Sequence, residues 1–239
     1  MPIDPVPPLP PDLVPLSKLP HFDPRAVPVV GIDSHLPPVG ESAMTPEALR
    51  RRFRAPPAWE PEIWAEKRFT DRQIAYAAVL VPIVLREQPT VLLTERATHL
   101  NTHSGQVAFP GGKRDETDRD FAHTALRGAH EEIGLHESHV EVLGEMPTYT
   151  TGTRFIVTPV VALVRPEAKL ELNPHEVADA FEVPLRFLMN PAHHHRHVFE
   201  ALGASREWFS MPYMDGAIER FIWGATAAML RNFYRFLSA

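Results

Sequence analysis

The chain has 239 residues, of which 44% are hydrophobic and 23% charged, a composition typical of soluble globular proteins. A formal net charge of −6 argues against the clustered basic charge of a nucleic-acid surface, and the absence of cysteine excludes disulfides, thiolate metal sites and cysteine nucleophiles. No apolar run approaches the roughly 20 residues of a membrane span, and residues 1–4 lack the basic start of a secretory signal. We therefore expect a soluble, cytoplasmic protein that binds neither nucleic acid nor membrane.

The N-terminal part of the chain is rich in proline, with 15 of the 26 prolines in the first 60 residues. Proline fixes φ and lacks a backbone donor, so residues 1–40 are expected to form polyproline-like coil and no regular helix or interior strand. This arm could be mobile, pack on the body or on the partner subunit of a homodimer, or carry a motif for proline-binding domains. Packing is favoured by the apolar residues among the prolines: Leu9, Leu13, Val14, Leu16, Leu19 and Phe22.

We place an extension at residues 1–44 and a folded domain at residues 45–239. The domain starts with a predicted helix from Thr45, an N-cap followed by proline at N1, to Arg54. Seven further segments have the composition of strands: 76–85, 90–94, 106–109, 140–143, 155–164, 176–183 and 207–212. Three more helices are predicted at 118–133, 184–189 and 221–237. This order indicates an α/β or α+β protein with a mixed sheet between helices and one core.

The most informative segment runs from Gly111-Gly112 through an acidic loop to a helix that ends in Glu131-Glu132 and Gly134. Hard cations take oxygen ligands and reach phosphates through a few carboxylates and water. Two acids in the last turn of a helix oppose its dipole, which is easier to understand if a cation lies beside them. A solvated acidic helix end is the alternative.

The helix geometry separates these acids. At 100° per residue the helix has two faces, with Thr124, Gly128, Glu131 and Glu132 on one and Phe121, Ala125 and Ala129 on the other. Arg127 can pair with Glu131 at i, i+4, which leaves Glu132 as the better candidate ligand. The diglycine allows close backbone approach, so a carbonyl near Gly112 could also contact the ion.

The stretch from Gly112 to Leu135 resembles the Nudix box of hydrolases that cleave nucleoside diphosphates linked to another moiety. Two preceding blocks, LLTER at 92–96 and HSGQVAFPGGKRD at 103–115, resemble the coenzyme A diphosphatase branch of that family. Later blocks match the same branch: NPHEV at 173–177, VPL at 183–185, PY at 212–213 and IWGATA at 222–227. The resemblance covers about residues 76–236 and leaves out the proline-rich arm.

The resemblance implies the Nudix fold, a mixed sheet sandwiched between helices, and hydrolysis of coenzyme A to 4′-phosphopantetheine and adenosine 3′,5′-bisphosphate. It also implies Mg²⁺ or Mn²⁺ as cofactor, with Glu131 and Glu132 as catalytic and metal-binding acids and Gly112 contributing its backbone. Glu176 is our candidate for a third acid, as a ligand or as a general base. Its alternative is an ordinary surface glutamate before a strand.

Substrate contacts are predicted around the diglycine, at His103, Gln106, Gly111, Gly112, Arg114 and Trp223. His103 could contact a phosphate or the pantetheine, or only pack in its loop. Arg114, like Lys113, could face an anionic substrate or solvent, and Trp223 could be core or a wall of the cleft. The histidine-rich segment 193–197 is predicted to be a polar loop, because three consecutive histidines cannot all face one ion.

Gly128 departs from the family pattern, which has a metal-binding glutamate at this position. The enzyme could work with fewer protein ligands and more water, or Glu176 or Asp115 could fill the gap. The protein could also bind nucleotides without hydrolysing them. A glutamate restored at residue 128 is expected to lie on the same helix face as Glu132 and not to destabilise the helix, because it replaces an unfavourable helix-interior glycine. Two further alternatives are another nucleoside diphosphate-linked substrate and an interaction protein that works through its proline-rich arm.

Overall fold

The computed structural model describes residues 22–63, 74–97, 105–151, 155–201 and 204–239. Its strands are β1 (Val29–Ile32), β2 (Ala75–Val84), β3 (Thr90–Arg96), β4 (Val107–Ala108), β5 (Gly111–Lys113), β6 (Val140–Glu145), β7 (Tyr149–Thr150), β8 (Phe155–Val164), β9 (Val177–Pro184), β10 (His195–Ala201), β11 (Ala204–Asp215) and β12 (Ile218–Trp223). Its α-helices are α1 (Pro46–Arg54), α2 (Phe121–Ile133), α3 (Leu185–Leu188) and α4 (Gly224–Ser238). None of the helices in these ranges is long and apolar enough to cross a membrane.

The strands form two sheets. The larger sheet has the order β4-β3-β2-β8-β6, with β5 paired to β2, β7 to β8 and β9 to β3. Strands β2 and β8 are parallel over their full length, and the other described pairs are antiparallel. A smaller antiparallel sheet has the order β1-β10-β11-β12. The predicted mixed sheet with flanking helices is confirmed.

Apolar residues pack on both faces of the larger sheet. One cluster lies between the sheet and α2 and includes Leu80, Ala129 and Ile133. The other lies on the opposite face, toward α4, and includes Leu93 and Leu230. Strand β2 is buried along most of its length, as expected for a near-continuous apolar run that pairs in parallel in mid-sheet. The single core expected from the sequence is therefore two layers on either side of one sheet.

Helix α2 carries its own start and stop signals. Its N-cap, Asp120, accepts a hydrogen bond from the N–H of His123 at 2.7 Å, which satisfies a donor that the helix cannot. It ends at Gly134, whose φ of 66° is the left-handed cap conformation that glycine adopts readily. Residues at helical spacing face the sheet and are fully buried: Ala125, Ala129 and Ile133.

The other helix predictions are confirmed with one change. Helix α1 spans Pro46–Arg54, and the hydroxyl of Thr45 accepts from the N–H of Ala48 as an N-cap. The last helix was predicted from residue 221, but it begins at Gly224. Residues 218–223 form β12 instead, because they complete a hairpin with β11.

The prediction of coil for residues 1–40 is wrong at Val29–Ile32, which form β1 at the edge of the smaller sheet. This stretch contains no proline, and an edge strand pairs on only one side. Val27, Val39 and Met44 are buried, so this part of the predicted extension packs on the body. The apolar residues Leu9, Leu13, Val14, Leu16 and Leu19 lie outside the described residues.

Phe22 lies in an aromatic cluster on the smaller sheet. Its ring centroid is 5.1 Å from that of Phe199, 5.8 Å from Trp208 and 6.1 Å from Trp223. Aromatic pairs at such distances and steep angles are favourable. This contact favours the packed alternative for the residues at the end of the proline-rich arm.

A charge network, made of Asp33, Glu62, His194, Arg196 and Arg231, joins the N-terminal residues to β10 and α4, and Asp33, His194 and Arg231 in it are buried. Arg231 lies 2.7 Å from Glu62 and 2.9 Å from Asp33, and it donates to Nδ1 of His194 at 3.1 Å. Arg196 donates to both oxygens of Asp33 at 2.8 Å. His194 is fully buried and β10 begins at residue 195, so the predicted polar loop at 193–197 is wrong.

Candidate active site

The diglycine lies within strand β5, where Gly111 pairs with Val79 and Gly112 with Ala78 of β2. Helix α2 packs directly on it. A Cβ atom at Gly128 would lie 2.5 Å from the carbonyl carbon of Gly111 and 2.8 Å from the nitrogen of Gly112. Since real Cβ atoms do not approach backbone so closely, the absence of a side chain at residue 128 lets the helix backbone touch β5.

Glu132 lies one turn further along the same face of α2. Its side chain is buried, with residue 132 only 6% exposed, and Oε2 accepts from the N–H of Gly111 at 3.4 Å. Oε1 lies 3.9 Å from Nη1 of Arg96 in β3. Of the positions predicted to share a face, 128 and 132 do so, because both are directed at Gly111, whereas the side chain of Glu131 is 54% exposed and pairs with Arg127. The expectation that a side chain at residue 128 would not destabilise the helix is wrong, because the backbone of Gly111 and Gly112 fills the space that it would need.

The loop before β9 brings Glu176 to the same place. The backbone N–H of Asn173 donates to the carbonyl of Glu132 at 2.9 Å, and Ala97 N–H donates to the carbonyl of Glu176 at 2.9 Å. The side-chain amide of Asn173 donates to Oε1 of Glu176 at 3.0 Å. These bonds hold the carboxylate of Glu176 at the junction of α2 and β3, beside Glu132.

The pKa of Glu132 is raised to about 7, chiefly by burial. The positive charge of Arg96 and the N–H of Gly111 oppose this change, whereas the negative charges of Glu176 and Glu131 add to it. Burial disfavours the ionised form of a carboxyl group unless an opposite charge compensates. A cation beside Glu132 would supply that compensation.

Glu131 turns away from this site. Both of its oxygens accept from Nη1 of Arg127, at 3.2 and 3.0 Å, and its side chain is 54% exposed, so the predicted i, i+4 pair is confirmed. The same arginine binds the buried carboxylate of Asp118 at 2.8 and 2.9 Å and the carbonyl of Lys113 at 2.9 Å. Arg127, with other hydrogen-bond donors, holds the pKa of Asp118 well below its usual range. Glu131 therefore helps to hold Arg127 between α2 and the end of β5.

The predicted substrate residues are distributed around this centre. The carbonyl of Gln106 accepts from the N–H of Arg96 at 3.0 Å, which places Gln106 next to the site. The guanidinium of Arg114 lies 5.0 Å from the ring centroid of Phe121, at the other end of α2. Trp223 belongs to the aromatic cluster with Phe22. His103 lies outside the described residues.

Arg96 lies in the LLTER block, but the sequence alone predicted no role for it. The Nε of Arg96 is buried and has no hydrogen-bond partner among the described residues. A buried donor without a partner is costly, and next to a carboxylate it suits a phosphate oxygen. Side chains alternate along a strand, so the sequence could have predicted that Arg96 lies on the same face of β3 as Leu92, which packs on the α2 side. It could not have predicted that Arg96 lies beside Glu132.

Comparison with known proteins identifies the family. Residues 76–202 match the model of the NUDIX domain, and the chain therefore belongs to the Nudix family of hydrolases. It is 42% identical over 166 residues to the "Uncharacterized Nudix hydrolase NudL" of Yersinia enterocolitica, a match that covers 66% of this chain and 78% of that protein. A Yersinia pestis protein of the same name is 42% identical over 157 residues, covering 65% and 76%.

Solved structures give weaker likenesses. An Ap4A hydrolase binary complex from C. elegans aligns with a TM-score of 0.41 and 18% identity, covering 50% of this chain and 86% of that one. The NUDIX domain of Shewanella oneidensis NrtR, crystallised with ADP-ribose, aligns with a TM-score of 0.38 and 22% identity, covering 48% and 75%. At these scores the likenesses add nothing to the family match.

Nudix hydrolases generally use divalent metal ions such as Mg²⁺ or Mn²⁺. Within the described ranges, no three His, Asp or Glu side chains are grouped to hold an ion. Mg²⁺ commonly binds one or two carboxylates and completes its sphere with water and substrate phosphates. Glu132, with Glu176 beside it, fits that type of site, and the unfilled donor of Arg96 fits the phosphate.

Proposed function

We propose that the protein hydrolyses the diphosphate bond of coenzyme A, or of acyl-coenzyme A, to 4′-phosphopantetheine and adenosine 3′,5′-bisphosphate. The observation that carries this proposal is the junction of α2, β3 and β5, where buried Glu132 meets Gly111, Arg96 and the Glu176 loop. The choice of coenzyme A rests on the ordered blocks of sequence that resemble the coenzyme A diphosphatase branch. We propose Mg²⁺ or Mn²⁺ as cofactor and the cytoplasm as the place of action.

In this proposal Glu132 holds the ion, and Gly112 offers its backbone carbonyl. When bound, the ion neutralises charge on the diphosphate and lowers the pKa of a bound water. Arg96 donates from its unpaired Nε to a phosphate oxygen, which places the diphosphate over the diglycine. Glu176, held by Asn173, accepts a proton from the attacking water as a general base.

Glu131 has a positioning role in the proposal. It fixes Arg127, which in turn binds the carbonyl of Lys113 and so holds β5 against α2. His103, Gln106, Gly111, Arg114 and Trp223 remain proposed substrate contacts. A homodimer, and a boundary between an extension at 1–44 and a domain at 45–239, remain predictions.

Of the two acids that could fill the gap at Gly128, Glu176 is the better supported. The carboxylate of Asp115 accepts from the N–H and the hydroxyl of Thr117 at 2.9 and 2.8 Å, so it is engaged in its own turn. Glu176 lies close enough to raise the pKa of Glu132 through its charge. We therefore propose a site with two protein carboxylates, in which Glu132 holds the ion, water completes the metal sphere and Glu176 serves as the general base.

The test is incubation of the purified protein with coenzyme A and Mn²⁺, followed by chromatography of the products. We expect 4′-phosphopantetheine and adenosine 3′,5′-bisphosphate in equal amounts, with no reaction in EDTA. Gly128 supports a second candidate, a nucleotide-binding protein without catalysis. Tight binding of coenzyme A without turnover, at any concentration of Mg²⁺ or Mn²⁺, would favour that candidate and contradict our proposal.

A further inference from the structure

A groove of about 420 Å³ opens beside β5 and continues away from the diglycine. Its volume is in the range of sites for small ligands. Among the described residues, it is lined by the start of β2 and the end of β5, including Ile74, Tyr76, Lys113, Arg114, Asp115 and Glu116. This groove is separate from the junction around Glu132.

Two cations in the groove have no carboxylate partner among the described residues. Neither Lys113 nor Arg114 forms an ion pair within the described part of the chain, whereas Arg127, Arg196 and Arg231 all do. The groove also contains two acids: Asp115 accepts two hydrogen bonds from Thr117, and Glu116 is exposed. In a protein with a net charge of −6, two adjacent cations without an ion pair in the described ranges indicate a site for an anion.

The opposite wall of the groove is apolar and aromatic. Tyr76 is 49% exposed and Ile74 is 46% exposed, so both side chains are accessible to a ligand in the groove. The ring of Tyr76 lies 6.4 Å from that of Phe121, whose face also carries the guanidinium of Arg114. An exposed aromatic side chain can stack on any nucleobase, because every base has a π-face. The groove thus combines a surface for a base with donors for a phosphate.

The groove is connected to the candidate active site by a single strand. The backbone N–H of Arg114 donates to the carbonyl of Tyr76 at 2.9 Å, so β2 and β5 stay in register where the groove begins. At roughly 3.3 Å per residue, Arg114 lies about 7 Å along the strand from Gly112. In coenzyme A, one ribose separates the 3′-phosphate from the 5′-diphosphate, which is a separation of similar size.

We propose that this groove binds the adenosine 3′-phosphate end of the substrate, with Lys113 and Arg114 donating to the 3′-phosphate and Tyr76 contacting the adenine. The proposal rests on the proposed function, because it requires a diphosphate at Gly111-Gly112. It makes the 3′-phosphate the group by which the protein distinguishes coenzyme A from other adenosine diphosphate derivatives.

The first experiment measures binding without catalysis. Calorimetry in EDTA on the full chain compares adenosine 3′,5′-bisphosphate with adenosine 5′-monophosphate. We expect the bisphosphate to bind roughly ten-fold more tightly, as for loss of one hydrogen bond to a charged group. Lys113→Met and Arg114→Gln should each reduce this preference, and the double variant should abolish it. The matched control is Arg119→Ala, an exposed arginine of the same loop outside the groove, which should keep the preference.

A third variant separates the base from the phosphate. Tyr76→Leu should weaken the binding of both nucleotides by a similar factor and leave the ratio of their affinities unchanged. Thermal unfolding of all variants checks that these exposed substitutions leave the fold intact. Equal affinity of the wild-type protein for the two nucleotides would overturn the proposal, as would an unchanged ratio in the Lys113→Met, Arg114→Gln double variant.

The second experiment uses turnover. With Mn²⁺, the KM for coenzyme A should rise roughly ten-fold in the double variant, while the KM for 3′-dephospho-coenzyme A stays within about two-fold of wild type. Failure of the proposed function would be seen separately, as a wild-type protein that binds the bisphosphate selectively but hydrolyses neither substrate. Wild-type turnover of both substrates with equal KM would leave the hydrolase intact and contradict the groove assignment.

Discussion

Two regions of this protein contain buried or partly buried carboxylates, and the surroundings of these carboxylates differ. In the charge network, Asp33 and Glu62 are each bound by two arginines, Arg196 and Arg231, at 2.7 to 2.9 Å. At the candidate active site, Glu132 has one weak backbone contact at 3.4 Å and an arginine at 3.9 Å. The first region is electrostatically complete, whereas the second has room for another cation.

The pKa values follow this difference. Burial alone would raise the pKa of both Asp33 and Glu62, yet hydrogen bonds and charges from the two arginines lower it. Burial raises the pKa of Glu132 to about 7 because its partners do not compensate. A buried acid that the chain leaves incompletely paired is a candidate for function, and a fully paired acid is a candidate for the scaffold.

The largest effect is expected from breaking the complete region. Arg231 is almost fully buried, so Arg231→Met would leave Asp33, Glu62 and His194 without their shared partner. Removing one member of a buried ion pair typically costs about 3–5 kcal/mol, and we expect a loss of that size in urea unfolding. The control is Arg50→Met, which breaks the exposed pair with Glu141 and should cost less than about 1 kcal/mol. Equal losses in both variants would contradict the distinction.

The incomplete region should show the opposite pattern. Glu132→Gln keeps the shape of the side chain and removes the charge that a hard cation needs. We expect metal-dependent turnover to fall by roughly 10²-fold or more, the scale for one preorganised electrostatic group, with the fold retained. Near wild-type turnover at saturating Mn²⁺ would remove Glu132 from the site. Glu131→Gln should have a smaller effect, because Glu131 is exposed and acts through Arg127.

The two regions should also respond oppositely to pH. Glu132 has a folded pKa of about 7 and an unfolded value near 4.5, so between these values the folded state holds a proton that the unfolded state has lost. In EDTA, its contribution to stability should therefore fall as pH rises from about 4.5 to 7, by roughly 3 kcal/mol. Urea unfolding of wild type and Glu132→Gln at pH 5 to 8 checks this, since the difference between them should grow with pH.

The charge network gives the reverse sign. Asp33 and Glu62 have lowered pKa values, so their contribution is present at neutral pH and is lost as pH falls through their folded values. His194 has a pKa lowered to about 4, chiefly by burial, so its contribution is lost as pH falls from about 6.5 toward 4. If the stability of Glu132→Gln still fell as pH rose from 5 to 7, the fall expected for the wild type could not be assigned to Glu132.

How far the sequence predicted this structure depends on whether a signal is local. The cap at Thr45 and the apolar spacing of α2 lie within one element, and both were predicted close to their observed bounds. Strand β10 was missed because the histidines in and next to it are satisfied by distant partners, Ser210 for His197 within the strand and Arg231 for His194 just before it. Strand β1 was missed for the same reason, since it exists only through its pairing with β10.

The candidate site shows the same division. Glu132 was predicted from helix geometry and from a motif, and Glu176 from a motif alone. The role of Arg96 depends on its distance from Glu132, which no pattern in the sequence contains. The consequence of Gly128 was also hidden, because periodicity shows which way a residue faces but not how close the facing backbone lies.

The smallest effect, and the sharpest test of the incomplete region, is expected at Gly128. A methyl group there would meet the backbone of Gly111 at 2.5 to 2.7 Å, which overpacks the interface at a cost of about 1–3 kcal/mol. The gain from replacing a helix glycine is about 0.5–1 kcal/mol, so Gly128→Ala should be destabilising by roughly 1 kcal/mol. The matched control is Gly112→Ala across the same interface, whose new Cβ would lie 4.0 Å from the nearest atom, Cα of Gly128, and should cost little.

The same position decides whether the missing carboxylate can be restored. Gly128→Glu must move α2 away from β5 as Gly128→Ala does, so it should lose similar stability while it gains an oxygen ligand beside Glu132. We expect tighter Mn²⁺ binding in a titration without substrate, relative to both wild type and Gly128→Ala. If Gly128→Ala proved as stable as wild type, helix and strand would not be in contact. If Gly128→Glu bound Mn²⁺ no more tightly, a carboxylate at residue 128 would not reach the ion, and the site would depend on Glu132 and Glu176 alone.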